Sequence, residues 1–353
     1  MRILVFGAGP LGSLIASRLH EAGQDVYLLA RGQRLQDLTR HGVVIKEEGT
    51  DAFEISYPKI VESFGPDDEY DLVMIVMRKN QADASLDLLA QNKNVPTFLF
   101  MGNNAAGPEN LIRALGADRV MLGFPLPGGE RDGHIMRVMP VNEKRTYPLP
   151  LGEVDGTVRK RTHEIAAVLH SMRGYRAQIR RDMPAWLMYH VALLMPGFVP
   201  ALYGANNQMK RLGQTPDLLV LAVRATKEAL RGLRRSGIPT SPSVVRVLEY
   251  VPEPLFVGLV GFIMRKEWGK ASVEGHPRDA RDEMLYLFNE LMDTMDRTKT
   301  KTEAIDELRK YYDPDTMPLP AGRRNIGLNW ASLAAPAAVF LLLVMWKRRK
   351  HQD

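Results

Sequence analysis

Ile3-Leu4-Val5-Phe6-Gly7-Ala8-Gly9-Pro10-Leu11-Gly12 decides how the rest of the chain is read. Four consecutive apolar residues halted by glycine predict a strand buried on both faces, as in a parallel sheet. Ser13 to Leu19 then places apolar residues at helical spacing, Gly23 stops that helix, and Val26-Tyr27-Leu28-Leu29 predicts the second strand. Each glycine answers a separate need. Gly7 permits the tight turn, Gly9 lets backbone approach a pyrophosphate, and Gly12 lets the helix pack closely on the strand. The helix start offers free N–H groups and a positive dipole to phosphates. A glycine motif standing alone says little; between a strand and a helix, with a second strand at the right distance, it reads as a dinucleotide site.

The end of the second strand selects the dinucleotide. Asp or Glu there would hold a ribose 2′-hydroxyl, but this sequence has Ala30 and Arg31, with Arg34 close behind. Without a carboxylate, and with a guanidinium able to pair with a 2′-phosphate, NADP is favoured over NAD. Arg34 by itself reads as a solvated residue at a helix start. Tyr70 to Met77 and Thr97 to Met101 predict two further buried strands, ending in Arg78-Lys79-Asn80-Gln81 and Gly102-Asn103-Asn104. Ligands sit beyond the carboxyl ends of such strands, so Lys79 and Asn103 fall where a nicotinamide and its substrate would be. On position alone, either could equally be an ordinary loop residue.

The 353 residues suit two domains, and 45% hydrophobic with 25% charged residues excludes wholesale disorder. Cysteine is absent, which excludes disulfides, thiolate metal sites and cysteine nucleophiles. No metal is expected. A net charge of +6 suits small anions or a membrane surface, and no nucleic-acid motif accompanies it. The start of the chain lacks the pattern of a secretory leader, so a cytoplasmic catalytic part is expected.

The sequence resembles the ketopantoate reductase (2-dehydropantoate 2-reductase) family from its first strand to about Tyr312. The residues that carry the likeness are Gly7 to Gly12, Ala30-Arg31-Gly32, Lys79 with Gln81, Asn103, the segment Asp182 to Gly204 with Trp186, and Arg281-Asp282-Glu283. The resemblance implies a Rossmann-type doubly wound parallel sheet followed by an all-α domain, and NADPH-dependent reduction of an α-keto acid or related carbonyl. It implies that Arg31 meets the 2′-phosphate, Asn103 holds cofactor and substrate, Lys79 lines the mouth, and Glu283 orients substrate or catalytic groups.

One departure matters. The family's second domain opens with Trp-x-Lys, whose lysine protonates the nascent alkoxide, whereas this chain reads Trp186-Leu187-Met188. A thioether donates no proton. Ala192 and Pro196 stand where asparagines are expected, so the substrate is expected not to be ketopantoate. Lys79, Tyr189 and His190 are the alternative proton sources, and His190 also reads as a satisfied histidine on an apolar helix. A catalytically silent NADPH sensor or scaffold is the rival reading.

The expected organisation is 1–180 for the nucleotide-binding domain, 181–313 for a helical substrate and dimerisation domain giving a homodimer, and 314–325 for a linker. Asp217 to Leu233 predicts an amphipathic helix whose Arg224, Lys227, Arg231, Arg234 and Arg235 read as solvated charge. Leu255 to Met264 reads as a core helix or a pocket wall, being too short for a bilayer. Ile326 to Trp346 is 21 residues without charge, flanked by Arg323-Arg324 and Lys347-Arg348-Arg349-Lys350. As a helix it would extend about 31 Å, one hydrocarbon core. It reads as a membrane anchor followed by a basic tail at 347–353, or as an alanine-rich helix packed on the domain or in an oligomer interface.

Overall fold

Alternation along β1 (Arg2–Phe6) builds two cores at once. Ile3 and Val5 join Leu14, Ile15 and Leu19 on one face, while Leu4 and Phe6 join Phe64, Val73 and Phe98 on the other. A strand buried on both faces must lie inside a sheet with cover on each side. The computed structural model, which describes residues 1–126, 128–266, 271–296 and 299–334, places it there.

The strands are β1, β2 (Asp25–Leu29), β3 (Val43–Glu47), β4 (Glu54–Ser56), β5 (Lys59–Val61), β6 (Leu72–Ile75), β7 (Phe98–Met101), β8 (Val120–Gly123), β9 (Gly129–Asp132), β10 (Ile135–Val138), β11 (Tyr147–Glu153) and β12 (Tyr175–Ile179). Eight form one sheet in the order β12-β11-β8-β7-β6-β1-β2-β5. β5 to β8 through β1 run parallel, and only the β11–β8 pairing is antiparallel. The order from β5 to β8 is that of a doubly wound dinucleotide fold, with the reversal beside β1.

A second sheet, β4-β3-β10-β9, was not legible in the sequence. Its short strands carry charges among the apolar residues, which hides their period. It closes over the Pro10–Glu21 helix through Arg18, whose side chain is 1% exposed. The Arg18 guanidinium meets Glu54 at 2.5 Å, Glu47 at 3.4 Å and the Val141 carbonyl at 3.3 Å.

The chain divides into two units, Met1–Val191 with Gly269–Thr294, and Ala192–Trp268 with Met295–Asp353. This differs from the expected boundary at 180. Met183 and Leu187 pack into the core on the Leu4 and Phe6 face of β1, and the polar face of the Arg281–Asp296 helix is bonded to the segment after β6. A contiguous division cannot anticipate a helix that returns from 100 residues later in the chain.

The second unit is helical around Pro216–Arg235. Glu228 of that helix accepts the N–H groups of Ala304 and Ile305 at 3.1 Å and so caps the Glu303–Arg309 helix from outside. The expected solvated charges are corrected in part. Arg224 pairs with Glu253 at 2.8 Å, Arg234 pairs with Glu249 at 3.1 Å, and the buried Lys227 donates to the Val251 carbonyl. Arg231 and Arg235 remain exposed.

The linker expectation is overturned as well. Buried Asp217 needs donors, and it receives the N–H groups of Asn325 and Ile326, both at 2.8 Å. Leu319 N–H donates to Gly204 O, and Arg211 binds Leu319 O, so residues 319–326 form a pinned strap. A helix starting at Ile326 is likewise corrected. Asn329 and Ser332 bond to Glu253, and the described residues from 326 to 333 hold a short 3-10 turn, Trp330–Leu333. The rest of the expected anchor, 335–346, and the basic tail lie outside the described residues. Among the described residues, Met183–Gly204 is long and apolar enough to cross a membrane, and 67% of its apolar window is buried in the protein.

Replacing Arg18 by Ala would leave Glu47 and Glu54 without their shared cation. A loss of roughly 3 kcal/mol is expected, read as a lower urea midpoint at unchanged slope.

Candidate active site

Gly7 adopts φ +125°, and a Cβ there would stand 2.3 Å from the Val76 carbonyl oxygen. At Gly12 a Cβ would stand 1.9 Å from the Gly7 carbonyl oxygen. Both glycines are therefore fixed by backbone crowding. Gly9 differs: a Cβ there meets nothing within 4 Å. The space over Gly9 opens onto the first turn of the Pro10–Glu21 helix, where Pro10 lacks an N–H and those of Leu11 and Gly12 precede the first intrahelical bond, Ser13 N–H to Gly9 O at 2.9 Å. An open concavity at a helix start fits a pyrophosphate.

Arg34 is buried rather than solvated. Its guanidinium donates to Ala8 O at 3.1 Å and to Ser13 Oγ at 2.9 Å, and Ser13 Oγ itself donates to Ala8 O at 3.2 Å. Burial, aided by nearby Arg131, pulls its pKa down to about 10. Arg34 thus braces the glycine loop from the next helix. Arg31 stands at the residue before the Gly32–His41 helix without a side-chain capping bond, is exposed, and has no ion pair among the described residues. Its free guanidinium at the carboxyl end of β2 fits a ribose phosphate.

Beyond β6 and β7, Lys79, Asp83, Asn103 and Asn104 line one pocket. The Asn103 Oδ1 atom is buried and without a hydrogen-bond partner, which suits an amide that waits for a ligand donor. Lys79 is buried and already committed: its ammonium pairs with Asp83 and with Glu290 at 3.1 Å. Tyr286 Oη donates to the same Asp83 at 2.8 Å, and Glu290 also accepts the Ala105 N–H at 3.2 Å.

Glu283, 4% exposed, accepts the Lys79 N–H at 3.1 Å through Oε1. Its Oε2 atom is buried and lacks a hydrogen bond, with His276 Nε2 at 3.6 Å. Burial pushes its carboxyl up to about 7, against the pull of the Lys79 N–H and Arg78. Lys79 and Glu283, read separately from the sequence, are thus brought together. Asp83, Tyr286 and Glu290 went unnoticed. For Tyr286 and Glu290 the signal was available as acids at i and i+7, with a tyrosine at i+3, on one face of the Arg281–Asp296 helix.

His190 is not in contact with this group. It stacks on Trp186 at 5.3 Å between ring centroids and lies 4.4 Å from Phe124. Burial lowers its pKa to about 4, so the ring is neutral at pH 7 and packs as an aromatic. Tyr189 is fully buried, and Met188, 7% exposed, belongs to the core. Among the described residues no cluster of His, Asp and Glu is arranged to hold a metal.

A doubly wound sheet whose first glycine turn leaves an open cradle defines the class: a dinucleotide-binding protein of the Rossmann type. The sequence model of "Ketopantoate reductase PanE/ApbA" matches residues 3–140. The chain is similar to the uncharacterised oxidoreductase YkpB of Bacillus subtilis, 27% identical over 69% of this chain and 78% of that protein. It is also similar to a 2-dehydropantoate 2-reductase of Pyrococcus horikoshii, 25% identical over 70% of this chain and 78% of that one. In fold it resembles a D-mandelate dehydrogenase solved with NADH and anilino(oxo)acetate, with TM-score 0.70, 14% identity, and coverage of 88% of this chain and 97% of that one. The match to the ketopantoate reductase family thus covers residues 3–140, and the fold likeness extends over most of the chain.

The two kinds of glycine separate in a paired experiment. Gly9→Ala should keep the melting temperature within a few degrees and abolish dinucleotide binding by calorimetry. Gly12→Ala should lower the melting temperature markedly, because backbone must move to admit the methyl group.

Proposed function

We propose that this chain is an NADPH-dependent oxidoreductase that reduces an α-keto acid or related carbonyl other than ketopantoate, in the cytosol. The observation that carries the reading is the open space over Gly9 between two glycines that backbone crowding fixes. Arg31, exposed and unpaired among the described residues, supports NADPH, whose 2′-phosphate it would hold. Bound there, the dinucleotide would supply the hydride. Asn103, with its unpartnered oxygen, would receive a donor from cofactor or substrate.

Met188 leaves the proton source to be found elsewhere. Among the residues gathered near the strand ends, Glu283 can carry a proton at neutral pH and has an oxygen free to present it. In this reading the Glu283 carboxyl gives its proton to the alkoxide oxygen as the carbonyl carbon gains the hydride. His276, half-exposed and 3.6 Å away, returns a proton from solvent. Lys79 serves as a positioning residue: its N–H fixes Glu283, and its ammonium holds Asp83 and Glu290.

Arg31→Ala should weaken NADPH binding by about tenfold or more while leaving NADH nearly unchanged, since one charge-assisted phosphate contact contributes about 1.5–3 kcal/mol. Equal affinities in the unaltered protein would falsify the Arg31 assignment. A screen of keto acids that follows NADPH absorbance separates catalysis from silent binding.

The protonated carboxyl is the active form, so kcat should be constant well below pH 7 and fall as pH rises through about 7. Glu283→Gln should lower kcat by roughly 10²–10⁴ with KM little changed and remove that inflection. A pH profile that keeps the inflection in the variant assigns the proton to another group.

A further inference from the structure

The Glu253–Arg265 helix is apolar all round but covered on one side only. Phe256, Val257 and Val260 are buried, whereas Leu255, Leu259, Phe262 and Ile263 stand 59%, 56%, 54% and 42% exposed. These four recur at i, i+4, i+7 and i+8, which is one continuous stripe. The preceding turn, Ser243–Glu249, meets this helix at 114° and adds exposed Val244, Val247 and Tyr250. A continuous apolar face of this size marks a surface that meets something other than water.

Charge says what that something is. From Ser236 to Lys266 the only acids are Glu249 and Glu253; both are buried and paired with arginines. The exposed charges on the same segment, Arg246, Arg265 and Lys266, are all cationic. Apolar side chains beside exposed cations, with a tyrosine between, complement the headgroups and acyl boundary of an anionic bilayer.

The path of the chain points the same way. Asn329 N–H donates to Glu253 Oε1 at 2.8 Å, Glu253 N–H donates to Ser332 Oγ at 3.0 Å, and Trp330 beside them is exposed. The described chain therefore ends at the foot of this helix. The next residues in the sequence are the uncharged stretch to Trp346 and then Lys347-Arg348-Arg349-Lys350.

We propose that the outward stripe of the Glu253–Arg265 helix, with the Ser243–Glu249 turn, lies on an anionic lipid surface. Membrane contact is then a property of the folded helical unit itself. The inference is independent of the redox reading, and its test reads no turnover.

Because the chain holds no cysteine, a nitroxide can be placed at one site in the full-length protein. Leu259→Cys labels the stripe, and Asp67→Cys, exposed in the first unit, serves as the control. With vesicles of phosphatidylcholine and phosphatidylglycerol, the label at 259 should lose most of its accessibility to a water-soluble relaxation agent, by roughly tenfold, and gain oxygen accessibility. The control label should not change. A label at 259 that stays water-accessible on these vesicles overturns the proposal. So does one already shielded before lipid is added, which would mean that a second copy or the chain's own end covers the stripe. Equal shielding on phosphatidylcholine alone also overturns it, since charge would then play no part.

Discussion

Two carbonyl oxygens, those of Val76 and Gly7, set the geometry on which the amino-terminal unit depends. They approach so closely that neither Gly7 nor Gly12 can carry a side chain. The first approach locks the loop against the end of β6, and the second locks the Pro10–Glu21 helix onto the loop. Gly9, held between them with nothing above it, becomes a recess instead of a void that packing would fill. Arg34 reinforces the arrangement from the neighbouring helix by holding Ala8 O and Ser13 Oγ. The recess is thus a consequence of crowding around it.

A second constraint is electrostatic. Burying the Lys79 ammonium requires compensation, and Asp83 and Glu290 provide it. Tyr286 and the Ala105 N–H each give one of those acids a further donor, while Asp83 Oδ1 stays buried without a partner. Glu283 sits at the edge of this network with one oxygen satisfied and the other not. Its raised pKa comes from that half-satisfied burial, the usual way a carboxyl is made able to hold a proton near neutrality. His190 shows the contrast: burial among rings with no countercharge leaves it neutral and inert as an acid.

Met188 illustrates how a buried position suits its side chain. Met188 is packed into the core, as a flexible thioether can be, and brings no polar atom that needs a partner. Glu283, which can hold a proton near neutrality, stands on a different helix.

The sequence by itself determined the local part. Ile3 to Gly12, Val26 to Leu29 and the strand ends at Lys79 and Asn103 are set by apolar runs and glycine stops, whose causes lie within a few residues. The short strands β3, β4, β9 and β10 escaped because their period is broken by charges, among them Glu47, which the tertiary partners Arg18 and Val141 N–H make tolerable, and the exposed Arg131. Tertiary structure alone decided that Glu283 meets Lys79, 204 positions away, and that residues 319–326 are a strap held by Asp217. It also decided that one face of an apolar helix is left uncovered. Such pairings depend on which buried charge finds which donor, and composition carries no record of that distance.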